Sequence, residues 1–260
     1  MFGNKMETEA IPERVYALCK VVEKETVQDS KVKERMEPSY LNQKSSYYSI
    51  YRNAAIELQL IVQIDNILSL AVDPSVVKDI DSMRYYINGQ LNQFQEGYFY
   101  KVTKAYFALG ESILHGEQNV ANMTMVKEKT GLQLKADDMR AWRFWASYLG
   151  FGYMQDMFLI PNADVFLWDV ICRAQFNKNQ MYSITEFIDK IRPYANIIIN
   201  PVDENRTFNY GVSNGLRTLQ NTGYIKIEYG KDQANTWNLY RIEDLDLTGN
   251  EAITNITILK

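Results

Sequence analysis

The chain has one histidine and two cysteines, no apolar run of membrane-spanning length and no surplus of basic residues. Each shortage excludes a kind of chemistry. With His115 alone and only Cys19 and Cys172, a Cys/His zinc cluster has too few ligands. A Ser-His-Asp triad would have to use His115, and no serine sits in a G-x-S-x-G context. His115, in SILHGEQN at the expected end of a helix, reads as a cation or capping donor. The nearest approach to a phosphate-cradling loop is Leu149-Gly150-Phe151-Gly152-Tyr153, which lacks the third glycine and the following helix. MFGNKMETEAIPERV has no basic stretch followed by an apolar core, and no run approaches ~18 apolar residues. The expectation is a cytoplasmic protein with no membrane contact. Its two thiols are expected to lie reduced and buried inside amphipathic helices.

Positive charge is also short. The formal net charge is −4. Residues 1–74 carry nine Lys and Arg against eleven Asp and Glu, residues 75–161 nine against nine, and residues 162–260 ten against twelve. Coating nucleic acid by bulk electrostatics needs clustered Lys and Arg, so any such contact must be local. Carboxylates are the remaining catalytic route, as a Mg²⁺-holding set. Asp137 and Asp138 are adjacent on a helix and so point about 100° apart, which suits capping better than convergence. Glu243, Asp244 and Asp246 form the other dense group, where neighbouring acids face opposite ways. No cofactor and no metal site is expected.

What is present is a folding chain: 260 residues, 46% of them apolar, can bury a sizeable core. Residues 208–221 place Val212, Leu216 and Leu219 on one helical face and Ser213, Asn214, Arg217, Thr218 and Gln220 on the other. Gly223 stops that helix, and 224–229 alternate as a strand. A turn over 230–235 and a partner strand over 236–242 are expected next. Upstream, Ser183 and Glu186 have capping-box spacing for a short helix over 184–191, closed by Pro193. Residues 162–176 carry Val165, Phe166, Trp168 or Asp169, Ile171 and Cys172 at helical spacing. The order is helix, helix, helix, hairpin.

The same ending occurs twice more. In SYYSIYRNAAIELQLIVQIDNILSLAV, residues 46–72, Ile50, Ala54 and Leu58 form the stripe and Asp65-Asn66 divides two apolar strands. Helices over 11–25, with Val15, Leu18, Cys19 and Val22 on one face, and over 27–36 precede it. In residues 135–162, Asp137 or Asp138 suits an N-cap, Trp142, Trp145 and Leu149 make a face, Gly150 stops the helix, and 151–160 turn as a hairpin at Gln155-Asp156. Residues 73–137 read as mostly helical, with Tyr85, Tyr86, Tyr98, Tyr100, Tyr106 and Phe107 packed inside.

This pattern resembles the winged-helix form of helix-turn-helix, over about two-thirds of the chain. The resemblance implies a mostly α protein with small β-hairpins, an α+β fold of two to three winged-helix units joined by a helical segment. The units would be an N-terminal winged helix over 1–74, a helical middle over 75–161 that is a degenerate third copy, and a C-terminal winged helix over 162–260 ending in an acidic tail. It also implies double-stranded DNA as partner, for a non-catalytic regulator or the DNA-locating subunit of a larger complex. Base edges and phosphates would then be met by Arg206, Asn209, Ser213, Asn214, Arg217, Lys226 and Lys231 in the C-terminal unit, and by Lys44, Ser46, Tyr48 and Arg52 in the N-terminal one. The other reading is a protein-protein interaction subunit or homodimer, similar to the small winged-helix subunits that clamp connecting chains of chromosome-organising ATPases. Tyr47, Tyr48 and Tyr51 cannot all face inward, so at least one is expected at a contact surface.

Overall fold

The structure, a computed structural model, describes residues 2–3, 5–41, 46–115, 118–156, 158–199, 206–231, 235–241 and 251–260, with the side chains of all of these except 115–122. It is an α+β chain in which the described strands form four small antiparallel sheets.

The first group of elements is α1 (Pro12–Glu23), β1 (Val27–Gln28), α2 (Asp29–Met36), α3 (Tyr48–Glu57), β2 (Ile61–Ile64) and β3 (Ile67–Leu70). Pro12 opens α1 where its missing N–H is no loss, and Val15, Leu18, Cys19 and Val22 are buried as their spacing predicts. The helix expected over 27–36 starts only at Asp29. Val27 and Gln28 are extended instead and pair with Leu68 and Ile67, which gives a sheet of order β1-β3-β2. Two apolar-polar residues are too short to announce a strand; only the partner hairpin makes one. That hairpin turns at Asp65 and Asn66, whose φ values of 49° and 64° fit the two-residue turn that matches strand twist.

The second group is α4 (Ile80–Asn88), α5 (Tyr98–Phe107), α6 (Ser112–His115), α7 (Gln118–Thr130), α8 (Ala136–Tyr148), β4 (Gly152–Gln155) and β5 (Phe158–Pro161). The N-cap of α8 is Lys135, and the capping expected of Asp137 or Asp138 is carried by Asp138 at the third helical position, which accepts the Lys135 backbone N–H at 2.8 Å. Of the aromatic residues read as internal, Tyr100, Tyr106 and Phe107 are buried, whereas Tyr85 is exposed. The segment before α1 also belongs here by packing. Phe2 meets the rings of Phe94, Phe99 and Trp145 at centroid distances of 5.5, 4.7 and 5.2 Å, and the Trp145 indole N–H donates to the Ala10 carbonyl at 2.5 Å.

The third group is α9 (Asp164–Arg173), β6 (Met181–Ser183), α10 (Ile184–Ala195), α11 (Tyr210–Asn221), β7 (Ile225–Glu228), β8 (Trp237–Asn238), β9 (Ala252–Ile253) and β10 (Asn255–Ile258). Ser183 caps α10, its hydroxyl accepting the Glu186 N–H at 3.2 Å. The helix runs past the expected stop to Ala195 with Pro193 inside its last turn, where a missing N–H removes one helical bond. Gly223, at φ 72°, ends the turn after α11. The partner of β7 is not 236–242. It is β10, with Ile227 opposite Ile256, in a sheet of order β6-β10-β7, while Trp237 and Asn238 pair with Ile253 and Ala252. Alternation marks a strand without naming its partner. The residues just beyond the expected acidic tail therefore form the middle strand of this sheet; Glu243, Asp244 and Asp246 lie outside the described residues.

One continuous apolar core links the three groups. Within it lies a charge. Asp169 on α9, 6% exposed, accepts the Arg84 Nε–H of α4 at 3.0 Å and the Asn88 Nδ2–H at 2.8 Å, and the same Asn88 amide donates to the Leu149 carbonyl just after α8 at 3.1 Å. Cys19 is buried, but Cys172 is exposed. The core stripe of α9 is Phe166, Leu167, Val170 and Ile171, which turns Cys172 outward.

Two outcomes follow from this packing. Asp169→Ala takes from Arg84 its buried partner, leaving it Asp81 at 2.5 Å, and leaves the Asn88 amide only the Leu149 carbonyl; it is expected to cost about 1–3 kcal/mol, read as a lower urea midpoint, while the Arg84→Met, Asp169→Leu double variant loses less than the two single changes summed. Burial also pushes the Cys19 thiol up to about 12. In the folded protein at pH 8, a disulfide reagent should therefore titrate one thiol, Cys172, and reach the second only after unfolding.

Candidate interaction surface

α11 was expected to present its polar stripe to solvent. Its apolar face packs on α9, where a Cβ on Gly215 would come within 2.8 Å of the Ala163 carbonyl carbon. A Cβ on Gly211 would meet Phe107 of α5 at 2.3 Å and Pro161 at 2.9 Å. These glycines let α11 lie between the middle hairpin and α9, and that closeness determines what its polar residues touch.

Asn209 is the N-cap: its Oδ1 accepts the Val212 N–H at 3.0 Å and its Nδ2 donates to the Ile198 carbonyl at 2.6 Å. Ser213 is fully buried, which corrects its expected place on a solvent face. Its Oγ accepts the Tyr240 N–H at 2.8 Å, and one turn later the Arg217 Nη2–H donates to the Tyr240 carbonyl at 2.8 Å. Burial pulls the Arg217 guanidinium below the usual arginine value. The Asn214 Nδ2–H donates to the Pro161 carbonyl at 3.1 Å, and Thr218 accepts Asn162 at 2.9 Å. The stripe of hydroxyl, amide and guanidinium groups thus holds two backbone segments of its own chain. Such forks meet carbonyls as readily as base edges, so residue type alone does not separate the two uses. Arg206, Lys226 and Lys231 remain exposed; Arg206 reaches Asn235 at 3.2 Å and Lys226 pairs with Glu228 at 2.7 Å.

In the N-terminal group, Lys44 lies outside the described residues. Ser46 is exposed and donates its hydroxyl to Glu37 at 2.7 Å. Tyr48 is buried, contrary to its expected role at a contact surface. Its O–H donates to Asp29 Oδ1 at 2.7 Å, and Arg52 Nη1 meets Asp29 Oδ2 at 2.8 Å. Burial, and then the hydrogen bond to Asp29, raise the Tyr48 phenol well above its usual value. These three residues lock α2 to α3. Tyr51 is buried too, which leaves Tyr47 as the exposed tyrosine of the three.

The outward surface of this group was not among the expected site residues. Val62, Ile64 and Ile67 lie on one face of the β2–β3 hairpin, with Ile64 64% exposed, Ile67 41% exposed and the two directly paired. The opposite face carries the buried Ile61 and Leu68. β2 is an edge strand of its sheet. The signal was in the sequence: IVQIDNIL is more apolar than a hairpin with one buried face requires. Tyr40 and Leu41, between α2 and α3, are exposed as well.

Among the described residues, no group of three or more His, Cys, Asp and Glu is placed to hold a metal ion, and no helix is long and apolar enough to cross a membrane. No family model, curated protein or solved structure matches the chain.

Because Ser213 and Arg217 clamp the two peptide units that flank Tyr240, one through its N–H and the other through its carbonyl, Ser213→Ala and Arg217→Ala are each expected to lower stability by about 1–2 kcal/mol. Limited proteolysis near Tyr240 should quicken in both. An Arg217 free of structural duty would leave stability and cleavage unchanged.

Proposed function

We propose that the first and third groups are winged helices, each built of helix, strand, helix, helix and a strand pair, β2–β3 in the first and β7–β10 in the third, with α8 and the β4–β5 hairpin as a degenerate third copy. On this reading the protein is a non-catalytic interaction subunit that docks a protein partner through the N-terminal wing. The observation that carries it is the wing itself: Val62, Ile64 and Ile67 present apolar side chains, where a DNA-binding wing would carry Lys or Arg. The engagement of Asn209, Ser213, Asn214 and Arg217 within the molecule supports the same choice over double-stranded DNA.

Duplex DNA titrated at two salt concentrations should give no saturable binding, with wild type and Arg217→Glu alike. Complexes isolated on the tagged full chain should contain a stoichiometric protein that is lost from the Ile64→Glu, Ile67→Glu variant while its circular dichroism is unchanged. Saturable duplex binding that weakens steeply with salt and is lost in Arg217→Glu would overturn the reading in favour of DNA.

A further inference from the structure

The approach of α11 to α5 at Gly211 and Phe107 leaves a hollow beside it. Its volume is about 300 Å³, and its floor is apolar, formed by Phe107, Ile197, Ile199, Phe208 and Val212. This is the lower end of the size range of small-molecule sites, which are mostly apolar with a few convergent polar groups. Lys104 of α5 and Ala108, the residue just after it, line this hollow, and both also line a second hollow of about 410 Å³ between α5 and the end of α7. The second hollow is basic. Lys101, Lys104 and Lys129 line it, with the small side chains of Ala105 and Ala108 between them. Lys101 holds Glu96 at 2.9 Å, whereas Lys104 and Lys129 have no carboxylate partner among the described residues.

Three lysines lining one hollow, two of them without a carboxylate partner among the described residues, make a local positive field in a chain of net charge −4. An apolar floor joined through Lys104 to a basic groove matches a molecule with an apolar body and an anionic end. We infer that the seam between α5, α7 and α11 binds a small anionic amphiphile. Its hydrocarbon or aromatic body lies over Phe107, Ile199 and Val212, and its carboxylate or phosphate head is taken by Lys104 and Lys129. Burial of the body against the floor supplies affinity, and the two lysines supply orientation and the choice of charge. The bound molecule spans helices of the second and third groups, so it stiffens the seam at which α11 meets the middle of the chain. This site is independent of the wing and of its partner.

The probe is 8-anilinonaphthalene-1-sulfonate, an aromatic body with an anionic head, titrated by fluorescence on the full chain. One site per chain is expected, displaced by decanoate or decyl phosphate but not by decyltrimethylammonium or decanol; the better of the first two identifies the head. The Lys104→Glu, Lys129→Glu variant should bind the probe at least about tenfold more weakly, as loss of charge-assisted contacts implies. Ala108→Trp, on an exposed rim position, should block the site while circular dichroism stays unchanged. The proposal is overturned if the cationic and neutral chains compete as well as the anionic ones, or if both variants bind the probe like wild type. Displacement by duplex DNA at matched phosphate, with decanoate inert, would also overturn it and assign the groove to a nucleic-acid backbone.

Discussion

The buried carboxylate of Asp169 is the constraint on which the arrangement of this chain depends. An isolated charge in an apolar interior is too costly to persist, so the ion exists there only while its donors are in place. Those donors come from α4, which leaves the N-terminal group, and one of them, the Asn88 amide, also reaches the carbonyl of Leu149 at the end of α8. One acid on α9 therefore registers three parts of the chain against each other. Hydrophobic burial alone would hold them together without fixing their angle, because it has no direction. The hydrogen bonds do have direction, and they convert an apolar contact into a defined orientation.

The aromatic cluster around Phe2 makes a second joint, between the first group and the middle one. The chain start crosses to the middle group, where its ring lies against Trp145 and Phe99, and the Glu57 carboxylate at the end of α3 accepts the Phe2 N–H at 3.0 Å. A helix of the N-terminal group is thus tied to a segment embedded among the middle helices. With these joints made, α11 has no open side for most of its length. Its polar stripe becomes a set of internal brackets, and the exposed apolar side chains lie on the β2–β3 hairpin instead.

What could be read from the sequence followed the range of the forces involved. Helical stripes such as Val15, Leu18, Cys19 and Val22, the Ser183 cap, the Gly223 stop and the Asp65-Asn66 turn are set within a few residues and were legible. The pairing of β7 with β10 was not, since nothing local in Ile225–Glu228 selects a partner about thirty residues on over a nearer one. The fate of Ser213, Asn214 and Arg217 was illegible for a related reason. Periodicity shows that a face is polar, but whether water, a partner or the chain's own carbonyls satisfy it depends on tertiary neighbours.

The β2–β3 hairpin is a case in which a sequence pattern carried more than it was asked to. A hairpin with one face on a core needs apolar residues at every second position. Around Asp65-Asn66 both faces are apolar, so one face is surplus to folding. Exposing Ile64 on an edge strand, directly paired with the exposed Ile67, invites association, which chains ordinarily suppress with lysine or proline at such positions. Here the four residues of β2 include neither. On the proposed reading, another protein's apolar side chains cover this edge, since paired isoleucines offer such a partner apolar area and no charge.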